Sequence, residues 1–460
     1  MSGYIPHTDD DVRVMLERLG LADVADLFAA IPSELEIGEE TLEAVGRGSD
    51  EIQLLKHFRA AGARNRTAAE AASFLGAGCY DHHVPAAVDQ LAGRSEFLTS
   101  YTPYQAEVSQ GTLQAIFEFQ SQIALITGME IANASLYDGA SALAEAMLLA
   151  AAETRRQTIA VSDNLHPRYR AVLGTYARVR GLRLCTLKSD PATRQLGASA
   201  LTQLTADERR DLALVILQSP NFSGVVENGI RELAAACHEG RSLLAVSWDP
   251  VASGLYRLPG DEGADIVTGE GQGIGTRPSF GGPGLGFMAA RQKLLRRLPG
   301  RIVGATTDRD GRRAYVLTIQ AREQHIRREK ATSNICTNQA LIALRSTIHL
   351  ALLGPEGLGE VAGRCYHLAH LAHERLIASG AFTAENQGPF FKEFRLRAHV
   401  DTAELNRRLL AAGIQGGLRL GRLLPESPDD YLVAVTERRT PDEIDRFARI
   451  AAELAGEEGA

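Results

Sequence analysis

The chain has 460 residues, 45% hydrophobic and 23% charged, so it is long enough for more than one domain and too apolar to be disordered. Its 49 basic and 57 acidic residues give a net charge of −8. That balance excludes the broad positive field that a nucleic acid or an anionic membrane would require. The five cysteines form no Cys-x-x-Cys pair, which favours reduced thiols and a cytoplasmic location.

The beginning of the sequence carries acid, at Asp9–Asp11, where an export signal needs base followed by an apolar core. The most apolar helical stretch, Ala140–Ala152, contains Glu145 and is shorter than the roughly 18 uncharged residues of a membrane span. We therefore expect a protein with no membrane-spanning segment.

Apolar spacing predicts helices in the first part of the chain, at Asp9–Leu19, Val24–Phe28 and Glu40–Ala61. After residue 110 the pattern alternates between helices and short β-branched runs, which indicates βαβ crossovers and a mostly parallel sheet. The predicted strands are Thr158–Ser162, Leu182–Leu187, Leu212–Gln218, Ser242–Ser247 and Ala264–Thr268, with Leu285–Ala290 as a further, antiparallel strand. The predicted helices between and before them are Gly111–Thr127, Asp138–Arg156, Pro167–Arg180 and Ile230–Glu239.

A long helix is predicted from Gln339 to Ser379, broken at Gly354-Pro355, and a compact α/β segment follows it. We expect three parts: an N-terminal helical arm over residues 1–75, a large α/β domain over 76–335, and a small C-terminal α/β domain over 336–460.

Two glycine-bearing segments are candidates for anion binding. Gly269–Gly275 follows a strand, but Arg277-Pro278-Ser279-Phe280 cannot open the helix that a dinucleotide fingerprint needs, so we favour a plain connection between strands. Asp138-Gly139-Ala140-Ser141 opens an apolar helix and could cradle an anion, although an ordinary helix cap is the favoured interpretation.

Three other patterns carry polar side chains. His367, His370 and His373 share a helix face with Cys365 nearby, but the surrounding leucines favour packing over a metal site, and we expect no metal. The segment Arg322–Lys330 has mixed charge at helical spacing, typical of a solvated helix face or a partner interface. The Pro-bearing loop Tyr101–Glu107 offers two tyrosines and an amide that could surround a planar, anionic ligand.

Several unusual strings resemble the P-protein family of the glycine cleavage system, and more narrowly the α subunit of its two-subunit bacterial form. They are Tyr101–Glu107, Ser109–Gly111, Ala132–Ser135, Phe280–Pro283 and Arg322–Cys336. The resemblance covers nearly the whole chain. It implies the fold-type I architecture of pyridoxal-phosphate (PLP) transferases, which agrees with the alternating strands and helices.

The resemblance also implies a missing residue. The position of the lysine that binds the coenzyme covalently corresponds to Gln272 or Gly273, and the sequence has no lysine between Lys188 and Lys293. Asp249 matches the aspartate that faces the pyridinium nitrogen, and His166 matches the residue that stacks on the ring. We expect these four positions to be vestigial and the chain to present no amine there.

In this interpretation the coenzyme is bound by a homologous β subunit, and the two chains form an α2β2 complex. The complex decarboxylates glycine and transfers the aminomethyl group to the lipoyl group of the H-protein. We expect the present chain to contribute a shared active-site loop, with Tyr101, Thr102, Tyr104 and Gln105 reaching the partner's cofactor pocket.

Two alternatives remain open from the sequence. One is a self-sufficient PLP enzyme that uses Lys293 or Lys330, two of only five lysines in the chain. The other is a non-catalytic scaffold homologue.

Overall fold

The computed structural model describes residues 6–35, 41, 48–68 and 70–458. The chain divides into two compact units, Met1–Arg66 and Thr67–Ala460. The predicted three-part division, with boundaries after residues 75 and 335, remains a prediction.

The first unit contains helices at Asp9–Leu19 and Glu51–Gly62, with 3-10 turns at Val24–Phe28 and Ser33–Leu35. Thr8 begins the first helix by accepting the Asp11 amide hydrogen, and Gly20, with a φ of 72°, ends it. The predicted helix Glu40–Ala61 is observed from Glu51, and residues 40 and 42–47 of that prediction lie outside the described residues.

A seven-stranded sheet forms the centre of the second unit, and five neighbouring strands are parallel. Its two remaining strands, at one edge, are antiparallel. In spatial order the strands are Ile131–Ala132, Gly286–Ala290, Ile266–Glu270, Leu243–Trp248, Leu212–Ser219, Thr158–Ser162 and Arg183–Leu187. This architecture is the predicted fold-type I α/β fold, including the antiparallel strand at residues 286–290.

Helices cover both faces of this sheet, and their apolar sides complete two large hydrophobic clusters. The helices of this region are Ala86–Ala92, Ser95–Leu98, Gln110–Thr127, Gly139–Thr154, Pro167–Arg180, Ala206–Arg210 and Ile230–Glu239. Helix ends follow local sequence: Gly128 and Gly181 take φ values of 69° and 67°, where a glycine carries no Cβ strain.

A second, antiparallel sheet lies in the C-terminal part and encloses its own core. In spatial order its strands are Phe382–Ala384, Glu393–Ala398, Asp430–Ala434 and Leu418–Arg419. Helices Thr402–Ala411 and Pro441–Glu458 belong to the same part, and the helix Ala340–Ala378 precedes it. This long helix is interrupted at Gly354, with φ 61° and ψ −176°, immediately before Pro355, as predicted. Ala72–Ser73 pairs with Ile414–Gln415 in a short parallel ladder.

Between residues 300 and 335 the structure departs from the sequence analysis in two segments. A hairpin of strands Ile302–Thr307 and Arg313–Thr318 is absent from the predicted elements. The charged segment Arg322–Lys330 has helical spacing, yet only Gln324–Arg327 is an α-helix, between 3-10 turns. Ile319 and Arg328 have φ values of 55° and 52°, which stop a helix from continuing in either direction. Among the described helices, none combines the length and apolar composition needed to cross a bilayer.

Candidate active site

A small cavity lies at the carboxyl edge of the parallel strands, where open α/β sheets place their ligands. Asp249 follows strand Leu243–Trp248, Glu270 ends strand Ile266–Glu270, and His166 opens the helix after strand Thr158–Ser162. The C-terminal part closes the cavity with Lys392 and Glu393, and the loop around Tyr80 covers it. Three of the four predicted vestigial positions, His166, Asp249 and Gly273, therefore line one cavity.

Gln272, the fourth position, contacts the covering loop instead of the cavity. Its side chain accepts the Tyr80 amide hydrogen at 3.0 Å and donates to the carbonyl oxygens of Tyr80 and Thr276 at 3.2 and 2.5 Å. A Cβ added at Gly273 would lie 2.9 Å from the His82 ring. A side chain at Gly273 would therefore meet the His82 ring, and the Gln272 side chain is held by the covering loop.

An amine enters the cavity from a different part of the chain than Gln272 and Gly273, the two positions that correspond to the covalent lysine. Of the five lysines, all within the described residues, only Lys392 lines the cavity. Its Nζ lies 2.6 Å from Asp249 Oδ2 and 2.8 Å from His82 Nε2, and the side chain is 3% exposed. The ammonium also lies 3.9 Å from the centre of the Tyr80 ring, within cation–π range.

The Lys392 contact sets the hydrogen-bond roles of the two His82 ring nitrogens. Because an ammonium only donates, His82 Nε2 accepts, and Nδ1–H donates to Glu437 Oε2 at 2.7 Å. Burial of Glu437 favours its neutral form, but the His82 bond and neighbouring N–H groups lower its pKa to about 2. Cys365 Sγ lies 3.3 Å from the same carboxylate oxygen. His82, Cys365 and Glu437 thus form a tight buried group whose polar atoms bind one another.

Burial shifts the pKa of two other cavity groups, His166 and Glu393, toward their neutral forms. His166 Nδ1 accepts the Arg168 amide hydrogen at 3.1 Å, Nε2 donates to the Ala77 carbonyl at 3.0 Å, and burial lowers its pKa. Glu393 accepts from the Ala77 amide at 2.6 Å and the Tyr80 hydroxyl at 2.9 Å. Burial raises the pKa of Glu393 to about 7.

The lysines proposed for a self-sufficient enzyme lie elsewhere. Lys293 is 62% exposed and pairs with Asp265 at 3.0 Å, while Lys330 is an exposed residue of a 3-10 turn. The histidine row of the long helix packs among aromatic rings: His370 stacks on Phe390 at 4.0 Å, and His373 lies 5.0 Å from the same ring.

The tyrosine loop forms a second, separate feature, because none of its four predicted residues lines the cavity. Tyr101 and Tyr104 are 85% and 56% exposed, Gln105 is also exposed, and Thr102 is partly buried. Below the loop lies the buried Arg301, whose guanidinium is 5.6 Å from the Tyr104 ring centre. Arg301 also donates to the Cys336 carbonyl at 3.0 Å, and this hydrogen bond connects the tyrosine loop to the segment Ala331–Cys336.

Comparison with known proteins identifies the family. The pattern of the family "Glycine cleavage system P-protein" matches residues 2–450. The chain belongs to the glycine cleavage system P-protein family. A solved glycine decarboxylase (P-protein) of the glycine cleavage system, in inhibitor-bound form, is 40% identical to it with a TM-score of 0.87, covering 98% of this chain and 99% of that one.

Other relatives match this chain over nearly the full length of both proteins. The probable glycine dehydrogenase (decarboxylating) subunit 1 of Moorella thermoacetica is 49% identical over 96% of this chain and 97% of its own. The protein of the same name from Thermomicrobium roseum is 48% identical over 96% and 98%. A sphingosine-1-phosphate lyase from Burkholderia pseudomallei, 18% identical with a TM-score of 0.64 over 90% of this chain and 91% of its own, shares the fold. The recognised family and the PLP-transferase fold type I are therefore both confirmed.

The cavity of this P-protein chain does not fit the coenzyme of the fold type. Its volume is about 50 Å³, which holds about four water molecules, whereas ligand sites usually offer about 300 Å³ or more. A neighbouring cavity of about 390 Å³ shares Gly78 and Glu270 with it, but neither Asp249 nor His166 lines that space.

Proposed function

We propose that this chain is the α subunit, or subunit 1, of a two-subunit glycine decarboxylase and acts only with a PLP-bearing β subunit. The complex decarboxylates glycine and transfers the aminomethyl group to the lipoyl group of the H-protein. The likeness to a solved glycine decarboxylase over 98% of the chain carries this proposal. The names of relatives as subunit 1 support a second subunit.

The coenzyme belongs to the partner in this proposal, because Gln272 and Gly273 stand where a covalent lysine is needed and the chain's own cavity is too small. Pyridoxal phosphate supplies the electron sink for loss of carbon dioxide. The residues of this chain bind and orient the substrate, and they exclude water from it.

The tyrosine loop is the part of the chain that we propose for the shared active site. Tyr101, Thr102, Tyr104 and Gln105 do not line the chain's own cavity, and three of them are exposed, so they are free to meet a partner. The Tyr104 hydroxyl and the Gln105 amide are hydrogen-bond donors suited to the carboxylate of glycine, and the Tyr101 ring is suited to exclude water.

Arg301 positions this loop from beneath. Its guanidinium lies 3.4 Å from the Tyr104 hydroxyl and is itself held by Asn338 at 3.2 Å. This contact with a buried charged group limits the rotamers of the Tyr104 side chain. A tyrosine held in this way is better suited to orient a substrate than one on a flexible surface loop.

Exposed apolar side chains support an α2β2 assembly. Leu98 and Val108, next to the tyrosine loop in sequence, are 56% and 79% exposed, and Phe280 is 96% exposed. Large apolar side chains in contact with water are typical of surfaces that another chain covers. We propose a cytoplasmic complex, with docking of lipoylated H-protein at this assembly.

The test is reconstitution with the β subunit encoded by the same genome. We expect the two chains to co-sediment and to catalyse glycine–bicarbonate carbon exchange with lipoylated H-protein, whereas each chain alone is inactive. Exchange by the α chain alone, or no association at micromolar concentration, would contradict the proposal.

The loop is tested in the same complex by Tyr104→Phe and Gln105→Ala. Loss of one hydrogen bond to a charged group is worth about tenfold or more, so each is expected to lower kcat/KM by at least about tenfold. Tyr256→Phe and Gln114→Ala, in other parts of the chain, serve as matched controls and should leave the exchange rate unchanged. Full activity of both loop variants would favour the scaffold alternative.

The self-sufficient alternative is now testable on Lys392, since Lys293 and Lys330 lie outside the cavity. If pyridoxal phosphate were trapped by borohydride onto Lys392 of the isolated chain, the chain would be an enzyme in its own right.

A further inference from the structure

The fold offers three contacts around the cavity that a phosphorylated pyridine ring would use. Asp249 is an acid at a strand end, suited to a ring N–H. The helix Gly139–Thr154 directs its first N–H group, that of Gly139, toward Glu270, and an N–H group in this position is suited to a phosphate. The His166 ring offers an aromatic face. Each of these contacts is occupied by a side chain of the same chain.

The phosphate end is occupied by Glu270. Its Oε2 accepts the Gly139 amide hydrogen at 3.0 Å, and its Oε1 accepts those of Gln272 and Leu285 at 3.0 and 2.7 Å. Burial raises the pKa of Glu270, and these three donors oppose that shift. One of the three backbone N–H groups belongs to the N-terminus of helix Gly139–Thr154 and the other two to the segments after and before strands, and together they give the carboxylate contacts that a phosphate would use. Asp138, the first residue of the candidate anion cradle Asp138–Ser141, accepts the Ser141 amide hydrogen with its side chain at 2.7 Å, as an ordinary cap does.

The ring-nitrogen end is occupied by Lys392. Its ammonium, 2.6 Å from Asp249, is a cationic N–H donor at the carboxylate that would otherwise face a pyridinium. His82 holds the ammonium from a second side at 2.8 Å, so its position is fixed by two partners.

The ring face is occupied by Tyr169. Its ring stacks on His166, with centroids 5.0 Å apart and planes 29° apart. Phe222 meets the same histidine edge-on at 4.8 Å. A Cβ added at Gly139 would lie 2.3 Å from the Tyr169 hydroxyl, so this tyrosine also fills the space in front of the helix N-terminus.

We propose that the cavity is a self-ligated coenzyme site, in which Glu270, Lys392 and Tyr169 replace the phosphate, the ring N–H and the ring face of the coenzyme. The chain therefore completes its fold without a vitamin B6 phosphate and does not compete with its partner for it. The inference rests on the coenzyme class of the proposed function, but it concerns binding by this chain alone.

The experiment measures binding of pyridoxine 5′-phosphate to the isolated full-length chain by equilibrium dialysis. This probe has no aldehyde, so surface lysines cannot trap it. We expect no saturable binding to the wild-type chain up to about 1 mM, the weak end of specific affinity. The double variant Glu270→Ala/Lys392→Met frees two charged contacts and should bind the probe at least about tenfold more tightly than wild type. Lys293→Met and Glu153→Ala, exposed ion-paired controls, should behave as wild type.

Glu270→Ala alone keeps the Lys392 ion pair and provides a second test if the double variant does not fold. It should also bind more tightly than wild type, and inorganic phosphate should compete with the probe. Micromolar binding of the probe by the wild-type chain would overturn the inference. So would a folded Glu270→Ala chain that binds no better than wild type. Neither result depends on decarboxylation by the reconstituted complex, so failure of the inference is distinguishable from failure of the proposed function.

Discussion

The substitution Lys392→Met tests whether the buried ammonium holds the cavity together. Methionine keeps the length and apolar stem of lysine but removes the charge. Asp249, whose side chain is 13% exposed, then loses its cation, and His82 Nε2 loses its donor. Removing one partner of a buried ion pair costs about 3–5 kcal/mol because the other charge stays buried without compensation.

The cost should depend on the remaining charge more than on the missing contact. In the double variant Asp249→Asn/Lys392→Met no charge is stranded, and the amide oxygen of the new side chain can still accept the Val251 amide hydrogen that Asp249 accepts at 2.9 Å. We expect the double variant to be at least about 2 kcal/mol more stable than the sum of the two single variants predicts.

The free energy of unfolding in urea, followed by far-UV circular dichroism, measures both effects. Lys188→Met is the matched control, because its 73% exposed side chain lies 3.7 Å from Asp163, itself 24% exposed, and its loss should cost less than about 1 kcal/mol. A loss below about 1 kcal/mol for Lys392→Met, or additive losses in the double variant, would refute this account of the pair.

Three further predictions concern other parts of the chain. Gly224 has a φ of +83°, and a Cβ added there would lie 1.8 Å from the Glu393 carbonyl oxygen. Gly224→Ala should therefore lower the free energy of unfolding by more than about 2 kcal/mol. The control Gly174→Ala, at an open helix position, should raise it by about 0.5–1 kcal/mol. Burial raises the pKa of Glu145 to about 7, so between about pH 4.5 and 7 the folded chain keeps a proton that the unfolded chain releases. Stability therefore falls as pH rises through this window, and Glu145→Gln should reduce the fall in melting temperature measured from pH 5 to 7.5. Phe280→Asp should weaken association with the β subunit at least about tenfold in sedimentation, with no change in unfolding of the chain alone, whereas Val179→Asp, also exposed, should not.

The strands and helices were predictable because buried segments and helix ends leave local marks in the sequence. Thr158–Ser162 and Leu243–Trp248 are fully buried runs, and Pro167–Arg180 begins at proline and ends before glycine, so local composition marks them. The hairpin Ile302–Thr318 was missed although Asp308-Arg309-Asp310-Gly311 is a turn sequence between its strands. The two strands carry few buried side chains, so their alternation is weak.

The site was only partly predictable, since its decisive pairs join distant parts of the sequence. Asp249, His166 and Gly273 were found by resemblance to positions that hold a coenzyme in related folds. Lys392 was missed because it reaches Asp249 from the start of a strand in the C-terminal part, and no local pattern records that approach. Glu270 was passed over inside a glycine run; an acid between glycines at the end of a buried strand is a signal that could have identified it.

Physical necessity links these compensating residues. A fold-type I chain without coenzyme retains a carboxylate near the sheet edge and free N–H groups at a helix N-terminus, and each is costly when it is buried without a partner. Lys392 satisfies the first and Glu270 the second, with charges opposite to those of the groups they contact. Because Glu270 and Lys392 line one cavity, a chain that lost Glu270 alone would leave the N–H groups of Gly139, Gln272 and Leu285 without their acceptor beside a site that keeps its cation, which favours uptake of an anion. We expect the Glu270→Ala chain to bind inorganic phosphate, and we expect this binding to weaken when Lys392→Met is added to the same chain. That result would show that the two charges act as one site.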